Sequence, residues 1–383
     1  GTLPSEPSLV DGHGPEDGGG NGYADASAET FPWSNINSSH WSWPLQPRCP
    51  GSPKVVQVGR LGVSNTVPHS LQRSRTSVII VSPTPADHFE KRKYERDHFY
   101  KQWEVYKKGI GNPNYDVPMV LRFFVGHTMT SPDRDLKYRE RDMEVRKLLL
   151  QEAEKYGDIF ILPSYDLDHY EKENGHMIIK ETTSACTVKV LQAIEWATFC
   201  YQFDFVVRGA DDAWLNAPML LDRVQSGVYP RQRAYIGRHL ANIPVPPFAH
   251  DLMHGAKTES DYMYGMTYLM SYDLAVYLSM VEQVLGLPLR KHWPEDGVVG
   301  LWLVGLDLNR FEEPAMHEAP DFATVPQYSM LVKFNKECSP DTLLVHHIRW
   351  DQLKVTYGFE NGKFVAQPSN CQSKRPVLDQ YKD

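Results

Sequence analysis

The 383-residue chain has no long apolar run: nothing approaches the roughly 18 consecutive apolar residues that a bilayer-spanning helix needs, so it is not read as an integral membrane protein. It also has no excess of positive charge. Forty Lys and Arg stand against 48 Asp and Glu, a net charge of −8, and no basic footprint for nucleic acid is present. Residues 1–47 hold no Lys or Arg but carry Glu6, Asp11, Glu16, Asp17, Asp25 and Glu29, which leaves −2 for the remaining chain. No Cys-x-x-Cys pair occurs among Cys49, Cys186, Cys200, Cys338 and Cys371, so a zinc site is not expected. Their spacing and odd number fit one or two disulfides with a leftover thiol, and fit buried reduced thiols equally well. Asn37-Ser38-Ser39 is a glycosylation sequon, which with the cysteines tilts the reading toward a secretory compartment. No internal repeat is visible. A content of 41% hydrophobic and 23% charged residues excludes collagen-like, coiled-coil and wholly disordered chains and leaves enough apolar surface for a sizeable core.

Residues 1–50, rich in Gly, Ser and Pro, read as a flexible stem, because low hydrophobicity cannot offset chain entropy; Trp33, Trp41 and Trp43 sit awkwardly in that reading. Residues 51–76 read as an irregular surface segment, 77–360 as a catalytic domain and 361–383 as a C-terminal tail. Within the domain, apolar runs at 78–81, 119–125, 158–162 and 203–207 suit strands buried on both faces, and they alternate with helical patterns at 88–107, 136–156 and 183–201. The alternation predicts an α/β fold with a mainly parallel central sheet flanked by helices. Ligands of such sheets bind beyond the carboxyl ends of the strands. The segment 261–273 reads as a loop entering a helix.

The strand at 203–207 runs into Arg208-Gly209-Ala210-Asp211-Asp212. Adjacent carboxylates at a strand end are either a solvated turn or a site for a hard divalent cation that grips a diphosphate. Pro294-Glu295-Asp296 reads as a helix opening, where acids also answer the helix dipole. Leu343 to Ile348 is an apolar strand with the paired histidines His346 and His347; each is either a hydrogen-bonded core histidine or a metal ligand.

Taken together, these segments resemble the β-1,3-glycosyltransferase family of Golgi galactosyl- and N-acetylglucosaminyltransferases and fringe proteins, over roughly 78–355. The resemblance rests on Tyr156-Gly157-Asp158, Asp168-His169-Tyr170, Lys180-Glu181-Thr182, Arg208 to Asp212, Gly265-Met266-Thr267-Tyr268-Leu269-Met270-Ser271, Glu295-Asp296-Gly297 and Val345-His346, in the family's order. This is a divergent member, similar in look to the galactosyltransferase-like branch of kinetoplastid protists. Ala210 stands where the family has the first Asp of a triplet, Arg208 replaces its Lys, and Gly265-Met266-Thr267 replaces three glycines of an acceptor loop. The Arg…Arg…Trp signature is loosely met by Arg92, Arg96 and Phe99.

The resemblance implies a GT-A fold, a UDP-sugar donor (galactose first, N-acetylglucosamine second), Mn²⁺ with Mg²⁺ as the alternative, and an inverting β-1,3 transfer to a glycan or glycoconjugate acceptor. It implies Asp212 and His346 as metal ligands, Asp211 near the metal or ribose, Arg208, Arg92 and Arg96 toward the nucleotide, and Asp296 as the base with Glu295 beside it. The missing acid at 210 predicts a weaker hold on the cation. A Golgi-lumenal, type II placement follows by the same analogy, with membrane contact through a removed N-terminal anchor alone. Two other readings stand beside it. One is an inactive carbohydrate-binding member of the same fold. The other is a metal-dependent phosphohydrolase, which calls for a second acidic cluster.

Overall fold

The computed structural model describes residues 73–128, 136–166, 170–173, 176–179, 185–241, 261–285, 295–319 and 337–369. The stem at 1–50, the sequon, Asp168-His169 and Lys180-Glu181-Thr182 lie outside them. In chain order the elements begin with β1 (Ser74–Arg75), β2 (Val78–Pro83), α1 (Phe89–Gly109), β3 (Met119–Thr128), α2 (Leu136–Tyr156), β4 (Ile159–Tyr165), β5 (Tyr170–Glu173), β6 (His176–Ile179), α3 (Ala185–Cys200), β7 (Tyr201–Gln202) and β8 (Phe205–Arg208). They continue with β9 (Trp214–Leu215), α4 (Ala217–Gln225), β10 (Ala234–Leu240), β11 (Tyr262–Ser271), α5 (Tyr272–Leu285), α6 (Glu295–Leu303), β12 (Asn309–Glu312), β13 (Met316–Glu318), β14 (Leu344–His346), β15 (Lys354–Glu360) and β16 (Lys363–Ser369).

Seven strands form the central sheet in the order β12-β10-β11-β8-β2-β3-β4. β8, β2, β3 and β4 run parallel, as do β10 and β12, and β11 alone is antiparallel to both its neighbours. Every residue of β2 is buried, which explains its unbroken apolar run: Ile79 and Val81 pack with α3 residues on one face, while Ile80 meets α1 residues such as Phe99 on the other. Helices on both faces of a mainly parallel sheet are the layers that a GT-A fold requires. On the α3 face, fully buried Trp196 packs against Phe160 and Phe124 at 4.3 and 5.4 Å between centroids.

Three expectations need correction. Segment 261–273 is not a loop: β11 occupies Tyr262–Ser271 in the middle of the sheet. The domain also does not close at 360, because β15 and β16 form one antiparallel hairpin across that position through Ser369. Phe359, Phe364 and Tyr357 pack with Trp350, Val105 and Tyr106, so residues assigned to a tail complete the core beneath α1. The irregular stretch 51–76 likewise ends in β1, which pairs with β7.

A buried ion-pair network ties α1 to α2 and β4. Arg96 makes a two-pronged bond to Asp158, Nε to Oδ2 at 2.7 Å and Nη2 to Oδ1 at 2.8 Å, and its Nη1 donates to Glu152 at 2.5 Å. Arg92, wholly buried, donates to Glu152 and to the Pro85 and Ala86 carbonyls. The Tyr-Gly-Asp motif now has a structural reading: Gly157 takes a left-handed φ of 66° and stops α2, which lets Asp158 turn back to Arg96.

Candidate active site

The site is assembled at the carboxyl ends of β2 and β8, the start of α6, and the small sheet β13-β14-β9. Its two adjacent acids face different ways. Asp211 accepts from Thr84 Oγ1 at 3.0 Å and Lys91 Nζ at 3.2 Å and is paired with His88 Nδ1. Burial opposes its charge, but His88 and Lys91 hold its carboxyl below the usual range. Asp212 instead faces His346, whose Nε2 lies 3.3 Å from its Oδ1. The backbone of both acids is pinned, Asp211 O accepting from Trp350 Nε1 at 2.8 Å and Asp212 O from the Ile348 amide at 3.0 Å.

Ligand atoms of Asp212, His346 and His347 all lie within 4.8 Å of one another. Behind them sits Glu318, fully buried. Glu318 and His346 are register partners across β13 and β14, so both side chains leave the same face. Nδ1 of His346 lies 3.0 Å from Glu318 Oε1, and Nδ1 of His347 lies 2.9 Å from Oε2. Burial opposes charge on Glu318, but the two imidazoles, His346 first, pull its carboxyl down to about 2. Burial likewise opposes charge on His346, yet Glu318 and Asp212 raise it to about 9; the anions that favour a proton on that ring also favour a cation beside it. His347 is pushed down by burial and by His346, which favours a neutral, ligating imidazole. One carboxylate and two imidazoles make a donor set that fits a divalent cation.

Asp296 and Glu295 open α6 and are both buried. Asp296 accepts the Gly265 amide on Oδ2 at 2.6 Å and the Gly297 amide on Oδ1 at 2.9 Å. Burial and the Glu295 charge raise it to about 6, against the pull of those amides and of Arg208. A carboxylate poised near neutral pH, with lone pairs remaining on both oxygens, is suited to accept a proton. Glu295 is committed: Oε1 takes the Tyr268 hydroxyl and Oε2 pairs with Arg208 at 3.0 Å. Arg208 Nη1 also donates to the Gly265 carbonyl at 2.6 Å. Gly265 thus joins the base to its buried ion pair, and a Cβ there would come within 2.9 Å of Asp296 Oδ2.

Tyr264 connects the two halves. Its ring meets His346 edge-on at 5.8 Å; burial first, then the charges of Glu318, Asp296 and Asp212, raise its hydroxyl well above the usual phenol range. The cation-fitting cluster and Asp296 therefore belong to one electrostatic neighbourhood.

Asp212 and His346 lie 3.3 Å apart, Asp296 is bonded to the amide of Gly265, next in the chain to Tyr264, and five other expected site residues have partners within the protein. Arg92 and Arg96 direct their guanidinium groups to Glu152, Asp158 and backbone carbonyls, so both are tied into the α1–α2–β4 network. Arg208 is spent on Glu295 and Gly265, and Glu295 is a positioning residue for the same reason. Asp211 points toward α1, and His347 stands in the cluster in its place. Glu318, Tyr264, His88 and Lys91 escaped sequence reasoning, since each lies outside any recognisable spacing. His347 was visible as half of a histidine pair.

Ala210 lines a partly open cavity with Glu95, His98, Gln102 and Trp350. Glu95 in that cavity accepts from Ser82 Oγ at 3.1 Å and is raised to about 8 by burial and by Asp211. Ala210→Asp would place a further carboxylate against Glu95 and is expected to destabilise the fold by about 1–3 kcal/mol, with cation affinity unchanged. Denaturant melts and Mn²⁺ titration of the variant check this, and tighter Mn²⁺ binding would return position 210 to the cation site.

The class of protein is given by comparison with known families, which identifies a glycosyltransferase. The galactosyltransferase family model matches residues 95–314, so the chain belongs to that family. It is 26% identical over 239 residues to the mouse protein "Beta-1,3-galactosyltransferase 6", covering 60% of this chain and 67% of that one. It is 26% identical over 212 residues to the Arabidopsis "Hydroxyproline O-galactosyltransferase GALT2", covering 54% of this chain and 27% of that one. Among solved structures it is similar to a mutant of LgtC (TM-score 0.35, 12% identity, 70% of this chain and 86% of that one). It is also similar to mouse xyloside xylosyltransferase 1 (TM-score 0.34, 10% identity, 71% and 97%).

Proposed function

We propose that the protein transfers a sugar, galactose before N-acetylglucosamine, from a UDP-sugar to a glycan hydroxyl in β-1,3 linkage with inversion. The observation that carries this is Asp296, a buried carboxylate raised to about 6 and held by two backbone amides, in the same electrostatic neighbourhood as the Asp212–His346–His347 cluster. Those three residues would hold a divalent cation, Mn²⁺ before Mg²⁺, which when bound neutralises charge on a leaving diphosphate. Asp296 takes the proton of the acceptor hydroxyl as its oxygen attacks the anomeric carbon and the bond to the diphosphate breaks. One base and one displacement give inversion, so no nucleophilic Ser or Cys is required. Gly265 and the Arg208–Glu295 pair fix the base. Cys200 and Cys338 each take part in a disulfide, whereas Cys186 does not. Disulfides suit an oxidising compartment, which supports a lumenal placement in the secretory pathway.

A screen of UDP-sugars with glycan acceptors, read as UDP release, tests the proposal. UDP-galactose is expected to give the highest rate, EDTA to abolish it and Mn²⁺ to restore it. No release from any UDP-sugar, with UDP still bound, would favour the inactive carbohydrate-binding reading.

The pH profile follows from Asp296. A base must be ionised to act, so kcat/KM should rise with pH through about 6 and level off above it. Rates at saturating Mn²⁺ across roughly pH 5–8 test this; a flat profile there would remove Asp296 from proton transfer.

A further inference from the structure

We propose that His347 is a cation ligand in its own right, and that the resulting pair of imidazoles makes the site select nitrogen-favouring divalent cations such as Co²⁺ and Zn²⁺ over Mg²⁺ and Ca²⁺. The proposal rests on the cation site of the functional reading above and deepens it.

The first observation is conformational. Successive residues of a strand point to opposite faces, so His347 would ordinarily turn away from His346. It does not, because His347 adopts a φ of 56°, the left-handed region that a residue with a Cβ rarely enters. That turn folds its ring back until the two imidazole centroids are 3.7 Å apart. Strained φ values of this kind persist where surrounding contacts enforce them and cluster at functional sites.

The second observation is the enforcing contact. Glu318 is fully buried and divides its oxygens between the two rings, each Nδ1 lying 2.9–3.0 Å from one of them. A carboxylate beside Nδ1 fixes the proton there and leaves Nε2 to act as the ligand. The His346 ring shows the result, with Nε2 turned to Asp212 at 3.3 Å. The ligand atoms of Asp212, His346 and His347, within 4.8 Å of one another, span close to two metal–ligand bond lengths of about 2.0–2.3 Å each.

The third step is donor chemistry. Mg²⁺ and Ca²⁺ call for oxygen ligands, whereas imidazole nitrogen suits later first-row cations. With Asp211 engaged by Lys91, His88 and Thr84, this set contributes a single carboxylate against two imidazoles.

The test uses the metal-free full chain without nucleotide, so turnover plays no part in it. Co²⁺ is titrated by its visible absorption, and Zn²⁺, Mn²⁺ and Mg²⁺ are ranked by competition. His347→Asn, which tolerates the left-handed backbone, is expected to weaken Co²⁺ and Zn²⁺ by about tenfold or more and to alter the Co²⁺ spectrum, with Mg²⁺ changed by less than about twofold. Glu318→Gln should weaken Co²⁺ by about 10–100-fold, as loss of a residue that orients a ligand does. His347→Gly, which relieves the backbone, repeats the measurement should His347→Asn fail to fold. Unchanged Co²⁺ affinity and spectrum in the His347 variants, equal loss of Mg²⁺ and Co²⁺, or a wild-type preference for Mg²⁺ would overturn the proposal. Nitrogen-dependent Co²⁺ binding in a chain that releases no UDP would sustain it and sink the transfer reading instead.

Discussion

Asp296→Asn is expected to lower kcat by about 10²–10⁴-fold, the usual contribution of a general base, while UDP and Mn²⁺ bind nearly as before. The amide keeps the shape of the side chain and can still accept from one of the two backbone amides that hold Asp296, those of Gly265 and Gly297, but it cannot take a proton. Glu295→Gln should behave differently. It removes a charge from the pair with Arg208 and weakens the bond to Tyr268, so its cost should appear in stability and, to a lesser degree, in kcat. Initial rates of both variants at saturating donor, with UDP affinity from calorimetry, decide between them. A dead Glu295→Gln beside a nearly normal Asp296→Asn would exchange the two roles.

Arg96→Ala is expected to destabilise the protein by about 3–5 kcal/mol. Truncation leaves Asp158, 3% exposed, without its two-pronged partner and removes one of the two arginines on Glu152. It also removes the guanidinium stacked between the Phe123 and Tyr156 rings at 4.6 and 4.3 Å. An uncompensated buried charge causes most of the loss, so Arg96→Met combined with Asp158→Leu should recover more than half of it. Urea melts of the single and double variants measure this. A loss below about 1 kcal/mol in Arg96→Ala would mean that water reaches Asp158, and that the network is no buried pair.

These two outcomes mark how far the sequence could be read. The parallel strands were legible because both their faces are covered, so β2 and β8 carry continuous apolar runs. Asp296 and the Asp211–Asp212 turn were legible because acids following strands or opening helices stand out locally. β11 was not: Tyr262–Ser271 mixes Gly265, Thr267 and Ser271 with aromatics and methionines, and no alternation betrays a strand buried through most of its length. Arg92 and Arg96 show a different failure. An Arg pair one helical turn apart looks the same whether it meets a nucleotide or Glu152 and Asp158, and the partner sits some sixty positions away. Glu318 lies on a three-residue strand too short for any pattern, and its meaning comes from register with His346. The left-handed turn at His347 leaves no trace in composition.

That register has a bearing on how the molecule comes into being. β14 is flanked by β13 in parallel and β9 in antiparallel, with Val345 opposite both His317 and Trp214. A chain made from its N-terminus has Asp212 and Glu318 synthesised before residues 344–347, and β13 has no strand partner in its sheet until β14 follows. Until then Glu318 faces no imidazole, and the segment destined to hold a cation is a pair of separated acids. The binding pocket is thus closed by one of the last strands to be synthesised, and the hairpin that follows it, β15 and β16, packs against α1 from near the start of the domain. Nascent chains stopped short of residue 344 carry Asp296, the Asp211–Asp212 turn and most of the sheet strands, yet lack both imidazoles of the Asp212–His346–His347 cluster.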